Sequence, residues 1–175
     1  MRLFTALLPP PQVVASLRDE LARHPRDEGS GVLRWTGPAQ WHLTLGFYGR
    51  DDPVARAHWL RERLAGLPAP TVRLTGAGTF PGVLWTGVQA AGLAELAAAV
   101  RPESEDREFR AHLTLARGDA PGALAVWTRL LAGYRSPRWT AGEVVLMRSD
   151  PGPGGPAYTT VERFRLGAPA GENLS

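Results

Sequence analysis

The chain contains the string His-Leu-Thr-Leu twice, at residues 42–45 and 112–115, 70 residues apart. Nothing else in the sequence constrains the fold as strongly. In an extended strand residues i and i+2 share a face. Each string therefore sends a histidine and a threonine one way and two leucines the other. Two such strands, each burying its leucines, can present two imidazoles and two hydroxyls to one shared space. With 4 histidines and 12 threonines in 175 residues, one His-x-Thr is ordinary, but two identical strings in matching surroundings are not.

The surroundings do match. Residues 2–8 read as a buried strand, and after Pro9-Pro10-Pro11 an amphipathic helix follows with Val14, Leu17 and Leu21 on its apolar face. Proline suits a helix start, where the first amides have no intrahelical partner. Residues 27–31 form a polar loop, and residues 41–48 the strand of the first string, bounded by Gly49. Asp51-Asp52-Pro53 opens a second helix with Val54, Ala57, Leu60 and Leu64 at helical spacing, stopped by Gly66. Strands are expected at 71–74 and 83–89, separated by a loop over 76–82.

The order then recurs. Leu93, Leu96, Ala97 and Val100 mark a short helix, residues 111–117 a strand, and Leu124, Trp127 and Leu131 a helix running from about Asp119 to Gly133. Strands follow at 144–148 and 158–166 around the turn Pro151-Gly152-Pro153-Gly154-Gly155. The fold class expected is α+β, one domain over residues 1–167 with two similar lobes interleaved around a cleft. A disordered tail is expected over 168–175.

Composition removes several chemistries. There is no cysteine, which excludes disulfides, thiolate metal sites and thiol nucleophiles. All 20 basic residues are arginine, giving a formal net charge of +3. Arginine offers a planar fork of donors suited to phosphate, although a GC-rich genome yields the same bias. The apolar run at residues 3–8 is too short for a signal peptide, and no stretch is long enough to span a membrane. The expected state is a cytoplasmic monomer without membrane contact.

Two histidines beside two threonines suit phosphodiester chemistry. One group must take a proton from the attacking oxygen and another must give one to the leaving oxygen; histidine titrates near neutrality and can serve as either. Hydroxyls can hold the non-bridging oxygens. Neither string contains an acidic residue, so the set calls for no metal and no cofactor.

On these residues the chain resembles the bacterial and archaeal RNA 2′,3′-cyclic phosphodiesterases, also called 2′-5′ RNA ligases, of the two-histidine phosphoesterase superfamily. The likeness runs from Leu3-Phe4-Thr5-Ala6-Leu7 to Phe164. It includes Arg34-Trp35, Val83-Leu84-Trp85-Thr86-Gly87-Val88, Thr114-Leu115-Ala116-Arg117, Val145-Leu146-Met147-Arg148-Ser149 and Tyr158. It implies a bilobal fold in which antiparallel sheets line a central cleft with helices outside. His42 would be the proton donor and His112 the acceptor, Thr44 and Thr114 would hold phosphate, and RNA 2′-phosphomonoesters would be the products. Two positions depart from the pattern: Ala111, where proline is common, and Gly82, where a basic residue is frequent.

Further site candidates are Arg117 for phosphate, Arg34 for substrate binding, and Phe47 or Tyr48, Trp35 and Tyr158 for stacking on a base. Arg117 lies three residues beyond Thr114, on the opposite side of an ideal strand, so a bulge or the strand end must turn it inward. Trp41, Trp59, Trp85, Trp127 and Trp139 are expected to be packing residues, and His24 and His58 solvated. The partner expected is RNA carrying a 2′,3′-cyclic phosphate or a 2′-5′ linkage. The rival readings are RNA end-joining through a 2′-5′ bond, a non-catalytic RNA-binding protein and a metal-dependent hydrolase.

Overall fold

The computed structural model describes residues 1–24 and 32–169. The loop expected at 27–31 and all of the tail beyond Pro169 lie outside the described residues. Among the described residues nine strands and four α-helices follow in the order β1 (Arg2–Leu7), α1 (Pro11–Ala22), β2 (Arg34–Trp35), β3 (Leu43–Arg50), α2 (Pro53–Leu64), β4 (Thr71–Phe80), β5 (Val83–Ala91), α3 (Leu93–Ala99), β6 (His112–Arg117), α4 (Pro121–Leu130), β7 (Trp139–Thr140), β8 (Glu143–Asp150) and β9 (Ala157–Arg165).

The strands form two antiparallel sheets, β3-β1-β8-β9 and β2-β6-β5-β4-β7. The first draws on both ends of the chain; the second takes β2, β4 and β5 from the first half and β6 and β7 from the second. The lobes are therefore not successive halves of the sequence. Neither histidine string lies on a middle strand, because β3 is an edge strand and β6 is flanked outside only by the two-residue β2.

Three of the four helices begin at a proline, Pro11, Pro53 and Pro121, the last of these two residues beyond the expected start at Asp119. Asp52 caps α2 by accepting from the Val54 amide at 3.1 Å, a contact worth about 1 kcal/mol. Pro53 fills a position that lacks an intrahelical donor. Ala57, Leu60 and Leu64 are buried while Val54 is exposed. In α1 the buried set is Val13, Leu17 and Leu21, with Val14 only partly covered. Most of the buried side chains form a single core shared by both sheets and all four helices. Burying each leucine contributes about 1.5–3 kcal/mol.

The expected loop over 76–82 is mostly strand. Strand β4 continues to Phe80, and only Pro81-Gly82 turns the chain, with Gly82 at φ +73°. Proline fixes the first turn residue and glycine alone accepts the left-handed second one without strain. His58 is exposed beside Glu62, as expected, but His24 is not solvated. Its ring is half-buried, 6.0 Å edge-on to Trp127, with Nε2 3.6 Å from Glu20.

Candidate active site

Bulges shape the two motif strands. Opposite β1, Thr5 pairs with Gly46 and Ala6 with Thr44, leaving Leu45 as an extra residue. Opposite β5, Leu84 pairs with Ala116 and Trp85 with Thr114, leaving Leu115 extra. The two bulges fall at the same place in the two strings. Burial shows the result: in β6, His112 and Thr114 are half-covered, Leu113, Leu115 and Ala116 buried, and Arg117 exposed. One extra residue resets the alternation, so Arg117 returns to the face of His112 and Thr114. In β3 the same offset places exposed Phe47 where β6 has Arg117.

Gly46 has no room for a side chain. An added Cβ would lie 2.8 Å from both the Tyr48 hydroxyl and the Val100 carbonyl oxygen.

Both imidazoles are held alike. His42 Nδ1 is 2.8 Å from the Gln40 carbonyl oxygen, and His112 Nδ1 is 2.8 Å from that of Arg110, each two residues upstream. A carbonyl only accepts, so each Nδ1 carries the proton and each Nε2 is the working atom. His42 Nε2 lies 3.0 Å from the Thr44 hydroxyl.

The Gln40 carbonyl is itself fixed. Its side-chain oxygen accepts from the Gly37 amide, and its amide donates to the Pro156 carbonyl at 3.0 Å, in the turn between β8 and β9. On the other side Arg101 donates to the carbonyls of Glu105 and Arg107, shaping the segment that leads to Arg110.

Aromatic rings surround both histidines. Phe4 and Tyr158 lie 5.0 and 5.1 Å from the His42 ring, and Phe80 and Trp85 lie 4.9 and 6.3 Å from the His112 ring. Burial holds His42 below its ordinary pKa; the Gln40 carbonyl opposes this, and the positive charges of His112 and Arg117 add to it. Burial raises the Tyr158 hydroxyl, against the pull of Arg117. His112, Arg117 and Tyr158 thus gather about His42, although they come from β6 and β9.

Arg34 stands directly opposite Arg117 in the β2–β6 ladder, which puts both side chains on one face. Thr44, Phe47, Phe80, Phe109, Arg101 and His112 line part of a cavity of about 530 Å³.

Two expected stacking residues are engaged elsewhere. Trp35 meets Trp127 edge-on at 4.6 Å and packs against the core. Tyr48 donates to the Val100 carbonyl at 2.7 Å and contacts Thr5 at 3.1 Å, with Arg56 over one face. Beyond the bulge at Leu45, Tyr48 falls on the side of Gly46, opposite Phe47. Burial raises its hydroxyl to about 12. Trp41, Trp127 and Trp139 are buried, whereas Trp85 flanks His112.

Phe80 and Phe109 escaped the sequence reading. The Pro81-Gly82 pair, set between apolar residues, was the signal for a tight hairpin that would have put Phe80 in a strand. Phe109 had no periodic context to mark it. No helix among the described residues is long and apolar enough to cross a membrane.

Known proteins match this arrangement. The family described as LigT like Phosphoesterase matches residues 7–88, and the 2′-5′ RNA ligase superfamily matches residues 58–153. A protein of Thermus thermophilus named RNA 2′,3′-cyclic phosphodiesterase is 33% identical over 95% of this chain and 90% of its own. One of the same name from Methanothermobacter thermautotrophicus is 28% identical over 86% and 92%. A crystal structure of a Thermus thermophilus protein superposes with a TM-score of 0.74 at 31% identity, covering 96% of this chain and 99% of that one. That of LigT from E. coli complexed with 3′-AMP gives 0.76 at 24% identity, over 94% and 97%, a likeness of fold.

Proposed function

The chain belongs to the family of LigT-like phosphoesterases and 2′-5′ RNA ligases, and from that premise we propose that it hydrolyses RNA 2′,3′-cyclic phosphate ends to 2′-phosphomonoesters. The observation that carries this reading is the duplicated histidine geometry. Each Nδ1 is tied to a carbonyl two residues upstream, and each motif leaves Nε2 for proton transfer.

The reaction needs water to attack phosphorus while the bond to the 3′ oxygen breaks. His112 Nε2 takes the proton from the attacking water. His42 Nε2–H gives a proton to the departing 3′ oxygen, leaving phosphate on the 2′ oxygen. Thr44 and Thr114 donate to the non-bridging oxygens, and Arg117, with Arg34 beside it, supplies positive charge where negative charge builds. The cavity edged by Phe47, Phe80 and Phe109 takes the base of the terminal nucleotide, since single-stranded bases are commonly held by stacking. Imidazoles, hydroxyls and guanidinium groups account for every step, so no metal ion is required.

The test is incubation of an RNA ending in a 2′,3′-cyclic phosphate with protein treated exhaustively with EDTA, followed by determination of the phosphate position. A 2′-phosphate is expected. A 3′-phosphate, or activity that EDTA abolishes and a divalent ion restores, would overturn the reading. The match to the 2′-5′ RNA ligase superfamily favours a second reading, the same chemistry with a 5′ hydroxyl in place of water as the attacking group, which joins two ends as the bond to the 3′ oxygen breaks. The same preparation, given an RNA with a 5′ hydroxyl and one with a cyclic phosphate, shows whether joining competes with hydrolysis.

A further inference from the structure

The cleft-side face of the second sheet carries a feature that the reaction does not use. Gly87 on β5 pairs with His112 on one side and with Thr75 of β4 on the other. Thr75 is bridged in turn to Arg135. Residues directly opposite in antiparallel ladders put their side chains on one face. A row therefore runs from His112 across Gly87 and Thr75 to Arg135. Three steps at the usual strand spacing make it about 14 Å long.

The row is low. Gly87 has no side chain, and an added Cβ would meet the Thr75 carbonyl oxygen at 2.8 Å. Along one flank stands the Trp85 indole, lying over Gly78 so closely that a Cβ there would be 2.3 Å from the ring. On the other flank Gln89 pairs with Arg73. The result is a shallow trough that begins at His112 and ends among arginines.

Three arginines meet at that end. Val72 pairs with Trp139, which sets Arg138 beside Arg73. Arg73 Nε is enclosed and has no hydrogen-bond partner. Enclosure of its stem, then the charges of Arg138 and Arg135, hold Arg73 below its ordinary pKa, so the three cations face one another. Among the described residues none of the three has an acidic partner within ion-pair distance. Such a group calls for an anion, and guanidinium forks suit phosphate oxygens.

We propose that Arg73, Arg135 and Arg138 bind a backbone phosphate of the RNA chain, upstream of the end held at His42 and His112. The inference rests on the RNA-end reading above and extends it: the substrate is an oligonucleotide whose chain follows the trough, not only its terminal nucleotide.

The test compares wild-type protein with the triple variant R73Q/R135Q/R138Q. Binding of fluorescein-labelled single-stranded RNAs of increasing length is followed by anisotropy at several salt concentrations, alongside turnover of a 2′,3′-cyclic mononucleotide. The variant should bind the longer RNAs about tenfold more weakly, as expected for losing a charged contact. Its log-log salt slope should be shallower by about 0.7 for each phosphate released. Mononucleotide turnover and melting temperature should be unchanged.

Equal binding of long RNA by both proteins would overturn the proposal, as would a loss of mononucleotide turnover as large as the loss of RNA binding in a folded variant. If wild-type protein turned over no cyclic phosphate of any length, the activity reading would fall, while the binding comparison would still decide this one.

Discussion

Replacing Arg117 by glutamine tests the site where structure and chemistry meet most directly. The bulge at Leu115 brings this side chain to the face of His112 and Thr114, and its charge reaches both His42 and Tyr158. A hydrogen bond from a charged donor contributes about 1.5–3 kcal/mol. Arg117 is exposed, and solvent screening puts its contact near the lower end. At 1.36 kcal/mol per factor of ten, kcat/KM should fall about 10- to 30-fold. The same change removes one of the charges that hold His42 down, so the limb that His42 contributes to the pH profile of kcat/KM should move upward. Arg117→Lys keeps the charge but loses the fork and should fall between. The assay is initial rate on a cyclic mononucleotide across pH, with Arg34→Gln as the neighbouring comparison. A kcat/KM within about threefold of wild type, less than about 0.7 kcal/mol, would refute the placement of Arg117 on the phosphate.

Five further substitutions bear on the same machinery. His42→Ala and His112→Ala should each lower turnover by about 10² or more. A substrate with a better leaving group should rescue only His42→Ala; rescue of His112→Ala instead would exchange the two roles. Thr44→Ala should cost more than Thr114→Ala, because Thr44 also contacts His42 Nε2; both losses should stay near the roughly 2- to 13-fold expected for one neutral hydrogen bond. Gly46→Ala places a methyl group 2.8 Å from Tyr48 Oη and the Val100 carbonyl oxygen. It should destabilise by about 1–3 kcal/mol, lowering the melting temperature by about 2–4 °C per kcal/mol. An unchanged melting temperature would show that β3 gives way more easily than its packing implies.

How much of this could be read in the sequence follows from the range of the forces involved. The two His-Leu-Thr-Leu strings were legible because strand alternation is local: a two-residue period fixes which side chains share a face. The helices were legible from apolar spacing and their proline starts, although the choice of Val13 over Val14 as the buried residue of α1 is a rotation that only packing decides. The paired carbonyls of Gln40 and Arg110 carry no side-chain signature and could not be anticipated. Tyr48 and Arg117 depend on bulges, one extra residue each, which the sequence leaves open until a partner strand sets the register. Strand β4 hid behind Gly76 and Gly78. These glycines look like a loop, yet Gly76 takes φ +61° where the ladder shifts register, and Gly78 makes room for the Trp85 ring. The interleaving of the sheets rests on pairings between residues more than a hundred positions apart, such as Thr5 with Leu146. No local pattern encodes those.

The lowered pKa of His42 sits awkwardly with its role as the acid, and the conflict resolves through the charge of the substrate. Among the protein's own groups three influences favour the neutral ring: burial first, then the positive charges of His112 and Arg117. The free protein therefore holds His42 less protonated than a solvated histidine at the same pH. A cyclic phosphodiester brings one negative charge to the space between these groups. It offsets the repulsion from His112 and Arg117 and favours the imidazolium of His42 directly, so binding should draw a proton onto the ring. Because kcat/KM reports the free protein and kcat reports the complex, the limb belonging to His42 should lie at higher pH in kcat than in kcat/KM. Because the charge of His112 is one of the influences on His42, the shift is assigned by repeating both profiles in His112→Ala, which removes that influence. In wild type, binding of an unreactive phosphodiester dinucleotide, whose phosphate does not titrate near neutrality, should take up protons in weakly buffered solution near neutral pH. If the limb moved downward on binding, or protons were released, His42 would be acting as the base, and the direction of proton flow through the site would have to be reversed.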